Sequence, residues 1–316
     1  MPHIAFIGEC MLELSGAQPG TVFGAAKLGF AGDTLNAATY MARTSRLLDP
    51  ASIKCASYIT ALGTDAYSNA MIEAWQSDGI ATDLVRRIDG ALPGLYTIQT
   101  DADGERSFSY WRDQAAAKQV LGGGHDAQIR DSFGRFDGFY LSGISLAILS
   151  PDDRQKMIAL VADYANKGGK VYFDTNHRPR LWSGDQTAMD IYRAIAPFCD
   201  TVLPTFDDDA ALFGDKSAQE TGQRWLEAGV REVIVKSGGD PTYWRNKDGQ
   251  SGFVTPPVIT EIVDTTSAGD SFNGAFLAAR SHGQSVEGAI RIAQNVAGRV
   301  ICRHGALVDI SDLELG

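Results

Sequence analysis

The segment Asp264-Thr265-Thr266-Ser267-Ala268-Gly269-Asp270, continuing as Ser271-Phe272-Asn273-Gly274-Ala275-Phe276, places small residues and a carboxylate ahead of an apolar run. Ser267, Ala268 and Gly269 let the backbone approach an anion closely, and the spacing from Phe272 through Leu277 predicts a helix starting there. Unpaired N–H groups at a helix start attract phosphate oxygens. Asp270 would sit on that first turn, where a carboxylate can take a proton from a hydroxyl as it attacks phosphorus. The chemistry so implied is phosphoryl transfer to an alcohol. Asp, Thr and Ser also cap helices with no chemistry at all, so the rest of the chain has to decide.

The elements that would position this segment are legible as short apolar runs at Ile4 to Ile7, Ala56 to Leu62, Gly138 to Leu141, Val171 to Phe173, Thr201 to Leu203 and Val233 to Val235. These read as buried strands. Helical spacing lies between several of them, at Leu35 to Leu47, Ala66 to Gln76, Arg154 to Ala165, Met189 to Ala196 and Ala218 to Ala228. Such alternation predicts an α/β fold, a mostly parallel sheet covered on both faces by helices, with ligand at the carboxyl ends of the strands. Two stretches break the rhythm: Gly20 to Ala31, and the pair Gly94 to Gln99 and Arg106 to Trp111 around the turn signal Asp103-Gly104. They predict a small β-sheet lid, approximately 15–33 and 92–113, on a single domain spanning 1–316. The aromatics Phe108, Tyr110 and Trp111 favour a lid over a plain surface hairpin.

Composition narrows the partners. The chain has 316 residues, 44% hydrophobic, enough for a sizeable core. With 28 Lys plus Arg against 39 Asp plus Glu, the net charge is -11, which disfavours generic binding to nucleic acid or anionic membrane. Cys10, Cys55, Cys199 and Cys302 show no CxxC spacing, so reduced structural thiols are expected. The start, Met1 to Glu9, lacks a basic n-region and its apolar run is too short for a signal sequence, so the cytoplasm is the expected compartment. A dinucleotide-dependent dehydrogenase is disfavoured because Gly8-Glu9-Cys10-Met11 does not supply a Gly-x-Gly-x-x-Gly turn after the first strand.

Gly32-Asp33-Thr34-Leu35-Asn36, Gly63-Thr64-Asp65 and the Asp264 to Asp270 segment occur in an order that resembles the ribokinase-like (PfkB) carbohydrate kinases, over nearly the full chain. More narrowly, Ile7 to Met11, Leu92-Pro93-Gly94-Leu95-Tyr96, Tyr110-Trp111-Arg112, Leu141 to Ser145 and Asn176 to Trp182 look like the 2-keto-3-deoxygluconate kinase branch. The resemblance implies a three-layer α/β/α sandwich and transfer of the ATP γ-phosphate to the 6-hydroxyl of 2-dehydro-3-deoxy-D-gluconate. A fructokinase or other neutral-sugar kinase, and a non-catalytic sugar sensor, are the alternatives. Asp270 would be the base, with the backbone of Ala268 and Gly269 as anion hole.

A sugar acid carries a carboxylate, for which a planar guanidinium is a natural partner, and Arg112 and Arg178 fit that role. Tyr96 and Tyr110 would offer hydroxyls and shield the site, or pack the lid. Gly32, Asp33 and Asn36 are candidates around the sugar hydroxyls, and Ile144 would be a pocket wall or core residue. For the nucleotide, the resemblance points to Lys236 and Gly238 in Val235 to Gly239, to Thr265, Ser267 and Gly269, and to Asn295 near the adenine. Magnesium is expected with ATP; Asp208 would touch its hydration shell through water, although Thr205 stands where much of the family has Asn. A requirement for a monovalent cation is left open. Pairing of lids into a homodimer is expected from the apolar residues of Gly20 to Phe30.

Overall fold

The computed structural model describes residues 2–16, 20, 22–52, 54–101 and 106–315. In chain order its strands are β1 Ile4–Ile7, β2 Met11–Ser15, β3 Lys27–Ala31, β4 Ala56–Leu62, β5 Ile80–Ala81, β6 Val85–Arg87, β7 Leu95–Thr100 and β8 Arg106–Trp111. They continue as β9 Gly138–Ser142, β10 Lys170–Asp174, β11 Thr201–Val202, β12 Glu232–Val235, β13 Thr242–Asn246 and β14 Ser251–Val254. The α-helices are α1 Asp33–Leu48, α2 Ala66–Ser77, α3 His125–Asp131, α4 Gly143–Ala147 and α5 Pro151–Asn166. After them come α6 Asp185–Ile195, α7 Phe206–Phe213, α8 Ala218–Glu227, α9 Ala268–Ser281 and α10 Val286–Ile301.

The main sheet runs β14-β13-β12-β11-β10-β9-β1-β4-β5, with β6 also paired to β4. From β5 to β12 every pairing is parallel, while β12, β13 and β14 form an antiparallel edge. Alternation along β1 shows the three layers directly. Ala5 and Ile7 belong to the core shared with α5, α6 and α8, and Ile4 and Phe6 belong to the core shared with α1, α2, α9 and α10. The antiparallel edge is not among the expected strands. Its turn at Asp248-Gly249, with Gly249 at φ 84°, carries the same Asp-Gly signal that marks a hairpin.

Helix starts follow local chemistry. Asp65, Ser150, Ser217 and Ser285 each accept a hydrogen bond from a first-turn N–H of α2, α5, α8 and α10, and Pro151 opens α5. The helix expected from Phe272 begins earlier, at Ala268, because Ser267 adopts a left-handed conformation (φ 63°) that turns the chain into α9. α9 lies close against α1. A Cβ on Gly274 would overlap the Ala37 carbonyl oxygen, so the absence of a side chain there lets the two backbones meet.

A second sheet, in the order β3-β2-β7-β8, stands apart from the main one. It includes Met11–Ser15, ahead of the lid segment expected from residue 15. The turn signal Asp103-Gly104 lies outside the described residues. Pairing of β7 with β8 aligns Leu95 with Trp111 and Tyr96 with Tyr110. Two-residue alternation then puts Glu13, Tyr96, Phe108 and Tyr110 on one face, and Leu12, Leu28, Phe30, Leu95 and Trp111 on the other.

Candidate active site

Because the strands from β4 to β12 are parallel, their carboxyl ends share one edge, and the polar residues that follow them meet there. Glu9 follows β1, Ser142 and Asp174 end β9 and β10, and Lys236 follows β12. The N-termini of α1 and α9 point to the same edge. Asn36, in the first turn of α1, donates from Nδ2 to Asp270 Oδ2 at 2.9 Å. Asp33 accepts from Asn176 Nδ2 at 2.9 Å. Lys236, only 7% exposed, donates to Asp174 Oδ2 at 3.0 Å and to Asn273 Oδ1 at 3.1 Å, and Asn273 in turn donates to the Tyr140 hydroxyl at 2.9 Å.

Asp174 and Asp270 thus stand near one lysine, with the charge of Asp33 close enough to act on Asp270. Burial pushes the Asp270 carboxyl up to about 7; the charges of Asp33 and Asp174 push the same way, while Asn36 and Lys236 oppose them. Asp33 is also raised, by burial first, against hydrogen bonds from Ser142, Asn176 and the Thr34 N–H. A carboxyl raised to the neighbourhood of physiological pH and held by an amide suits proton abstraction.

Beside Asp270 lies the start of α9. Ala268 N–H is taken by the Thr265 carbonyl at 3.2 Å, whereas the N–H groups of Gly269 and Asp270 have no acceptor among the described residues. The Ser267 hydroxyl is buried and likewise without a partner there. Lys236 Nζ approaches from the side, 3.5 Å from where a Cβ on Gly269 would stand. Unpaired N–H groups, an unpartnered hydroxyl and an ammonium make a cradle for an anion. Asp264 braces the loop: burial alone would raise its carboxyl, but bonds from Arg106, the Gly305 N–H and Thr266 hold it at about 2. Arg106, on β8, also reaches Thr266 Oγ1 at 2.9 Å, tying the small sheet to the cradle.

The other residues singled out from sequence are placed less directly. Gly32 precedes α1 and its carbonyl accepts the Asn36 N–H at 2.7 Å. Arg112 pairs with Glu9 and lies 5.9 Å from the Tyr110 ring centroid, and Tyr110 is 5.9 Å from Tyr96. Tyr96 is buried and its hydroxyl is taken by Glu13, so its ring packs against the small sheet. Arg178 follows Asn176 by two residues, but its side chain is half exposed and 3.5 Å from Asp208. Ile144 is partly buried against the hydrophobic core. Thr265 and Gly238 are exposed in loops, and Asn295 is exposed on α10. Sequence reasoning missed Glu9, Asp174, Asn176 and Asn273 as site residues. Two signals point to them: position just past a strand's carboxyl end, and for Asn273 the i+3 spacing from Asp270 on one helix.

Asp208, on the first turn of α7, is half-buried; burial raises its carboxyl, Arg178 opposes this and Asp174 adds to it. Among the described residues no group of three His, Cys, Asp or Glu side chains could hold a metal ion. A cavity of about 940 Å³ opens at the opposite edge of the sheet, among Ile4, Lys170, Thr201 and Glu232, away from all these groups.

A family profile described as "pfkB family carbohydrate kinase" matches residues 1–313. The chain is 42% identical over 311 residues to 2-dehydro-3-deoxygluconokinase of Escherichia coli (strain K12), covering 96% of each chain. Among solved structures it is similar to a PfkB protein from Polaromonas sp. JS666, with TM-score 0.80, 23% identity and 96% of each chain covered. It is also similar to fructokinase with bound ATP from Xylella fastidiosa, with TM-score 0.79, 22% identity and 96% and 93% covered. These last two bear on the fold alone.

Proposed function

This chain belongs to the pfkB family of carbohydrate kinases, and from that premise we propose that it transfers the γ-phosphoryl group of ATP to the 6-hydroxyl of 2-dehydro-3-deoxy-D-gluconate. The products are 2-dehydro-3-deoxy-6-phospho-D-gluconate and ADP. One observation carries the mechanism: the Asp270 carboxylate, raised to about 7, stands on the first turn of α9 beside unpaired N–H groups.

In this reading Asp270 accepts the 6-hydroxyl proton as that oxygen attacks phosphorus and the bond to ADP breaks. Asn36 keeps the carboxylate aimed. The free N–H groups of Gly269 and Asp270, the Ser267 hydroxyl and Lys236 stabilise charge on the transferring group, which is where catalysis of phosphoryl transfer mostly lies; the Ala268 N–H, expected in this role, is occupied by the Thr265 carbonyl. Thr265, Gly238 and Asn295 complete the nucleotide contacts. Magnesium bound to ATP would neutralise phosphate charge, and Asp208 would meet its shell through water. Arg112 and Arg178 would receive the acid end of the sugar, with Gly32, Asp33, Tyr110 and Ile144 around it. The small sheet closes over this cleft as a lid, and lids pair into a homodimer. Among the described residues no helix is long and apolar enough to cross a membrane, and the reading places the enzyme in the cytoplasm.

The test is coupled ADP release with magnesium-ATP and 2-dehydro-3-deoxygluconate, beside 2-dehydro-3-deoxygalactonate, fructose and ribose. A kcat/KM highest for the first supports the reading. Preference for fructose or ribose keeps Asp270 but removes the acid pocket.

A further inference from the structure

Glu9 is 2% exposed, two residues beyond the end of β1. One carboxylate oxygen, Oε2, accepts from Arg112 Nη2. The other, Oε1, is buried and has no hydrogen-bond partner among the described residues. Burial raises this carboxyl, Arg112 opposes the rise and the nearby charge of Asp33 adds to it. The pair also joins two sheets, since Glu9 leaves the main sheet and Arg112 follows the last residue of β8. Gly94 makes the room: a Cβ there would stand 3.0 Å from Glu9 Oε1 and 3.3 Å from Arg112 Cβ.

A buried carboxylate with an unsatisfied oxygen is a poor device for stability. Burial costs each ion several kcal/mol, and a pair engaged through one bond recovers little of it. The same carboxylate is well suited to holding a guanidinium in one orientation. Arg112 has a side chain only 11% exposed, and among the described residues its side chain's hydrogen bond is to Glu9, with the Tyr110 ring beside it.

We propose that Glu9 is a positioning residue for substrate specificity: through its buried bond to Arg112 it aims the remaining guanidinium N–H groups at the acid end of the sugar. This rests on the sugar-acid reading of the site. Aim matters because a displacement of about 1 Å in a binding group can cost up to about 100-fold in rate. Glu9 touches neither the phosphoryl group nor the reacting hydroxyl, so its loss should appear in the sugar's KM and leave ATP alone.

The experiment compares Glu9→Gln, Glu9→Asp, Arg112→Ala and the double variant Glu9→Gln/Arg112→Ala on the full-length protein. The readouts are KM for the sugar acid, KM for ATP, kcat and thermal unfolding. Glu9→Gln should raise the KM for 2-dehydro-3-deoxygluconate about tenfold, leave the KM for ATP within about twofold, and lower the unfolding temperature, because the Arg112 guanidinium, 11% exposed, loses its counter-charge. Added to Arg112→Ala it should have no further effect, because the residue it acts through is gone. Glu9→Asp keeps the charge but withdraws it, and should raise the same KM; it carries the test if Glu9→Gln does not fold. An unchanged sugar KM in an active enzyme, a parallel rise in both KM values, or full additivity with Arg112→Ala overturns the inference alone. A wild-type enzyme that turns over a neutral sugar and not the acid overturns the sugar-acid reading and the inference with it.

Discussion

As the proposed base, Asp270 would have to be ionised to accept a proton, yet it sits where burial and two neighbouring carboxylates favour its neutral form. The compromise at about 7 sets two expectations with opposite consequences. For activity, kcat/KM should rise as pH increases through about 7, since only the carboxylate can act as base. For stability, a carboxyl raised above its ordinary value favours the folded state below that ordinary value, near 3.8, and the contribution is lost as pH rises through about 7. Replacing Asp270 with Asn should therefore cut kcat by at least about 10²–10⁴-fold. It should also raise the unfolding temperature relative to wild type at pH 8, with the difference vanishing toward pH 4. Circular-dichroism melts at the two pH values, beside a pH–rate profile, check both signs. Near-normal turnover of the variant would remove the base assignment.

At the scale of elements, the contact between α1 and α9 decides whether Asn36 reaches Asp270. Gly274 is a point of tight approach, facing the Ala37 carbonyl. In an isolated helix Gly to Ala would gain about 1 kcal/mol of propensity. Here the new methyl must push two backbones apart, and overpacking of this kind costs about 1–3 kcal/mol or more. Gly274→Ala should thus destabilise the protein in urea despite its better propensity, and should lower kcat by loosening the Asn36–Asp270 bond. A variant as stable and as fast as wild type would show that the helices have slack. The helix and strand cores of this region were legible from apolar spacing; the closeness of α1 and α9 was not, because a glycine in a helix reads alike whether it faces solvent or another backbone. β2 escaped for a related reason, since Met11–Ser15 becomes a strand only by pairing with β3 and β7.

At the scale of the whole molecule, the small sheet exposes large apolar side chains on both faces. Phe108 and Tyr110, 38% and 49% exposed, share the face that carries Glu13 and bears on the proposed cleft, while Leu28 and Trp111, 48% and 60% exposed, lie on the other. Exposed apolar residues that size on the outer face favour association, and the proposed homodimer would cover them with a second copy of the same sheet. Light scattering should give twice the chain mass, and Leu28→Asp with Trp111→Asp should shift it to the mass of one chain. A wild-type monomer at working concentration would contradict the pairing.

The sequence by itself determined the α/β alternation and the kinase family and singled out Asp264 to Asp270 as the candidate phosphate segment, since each rests on residues close together in the chain. Only the tertiary structure decided which distant groups share the site. Asn36 meets Asp270 across 234 positions, Lys236 meets Asp174 across 62, and Arg112 meets Glu9 across 103. It also turned Tyr96 into packing for the small sheet and left Arg178 half exposed beside Asp208. The physical reason is that local spacing reports propensity and period, whereas burial, electrostatic coupling and hydrogen-bond partners exist only once parallel strand ends bring remote segments to one edge.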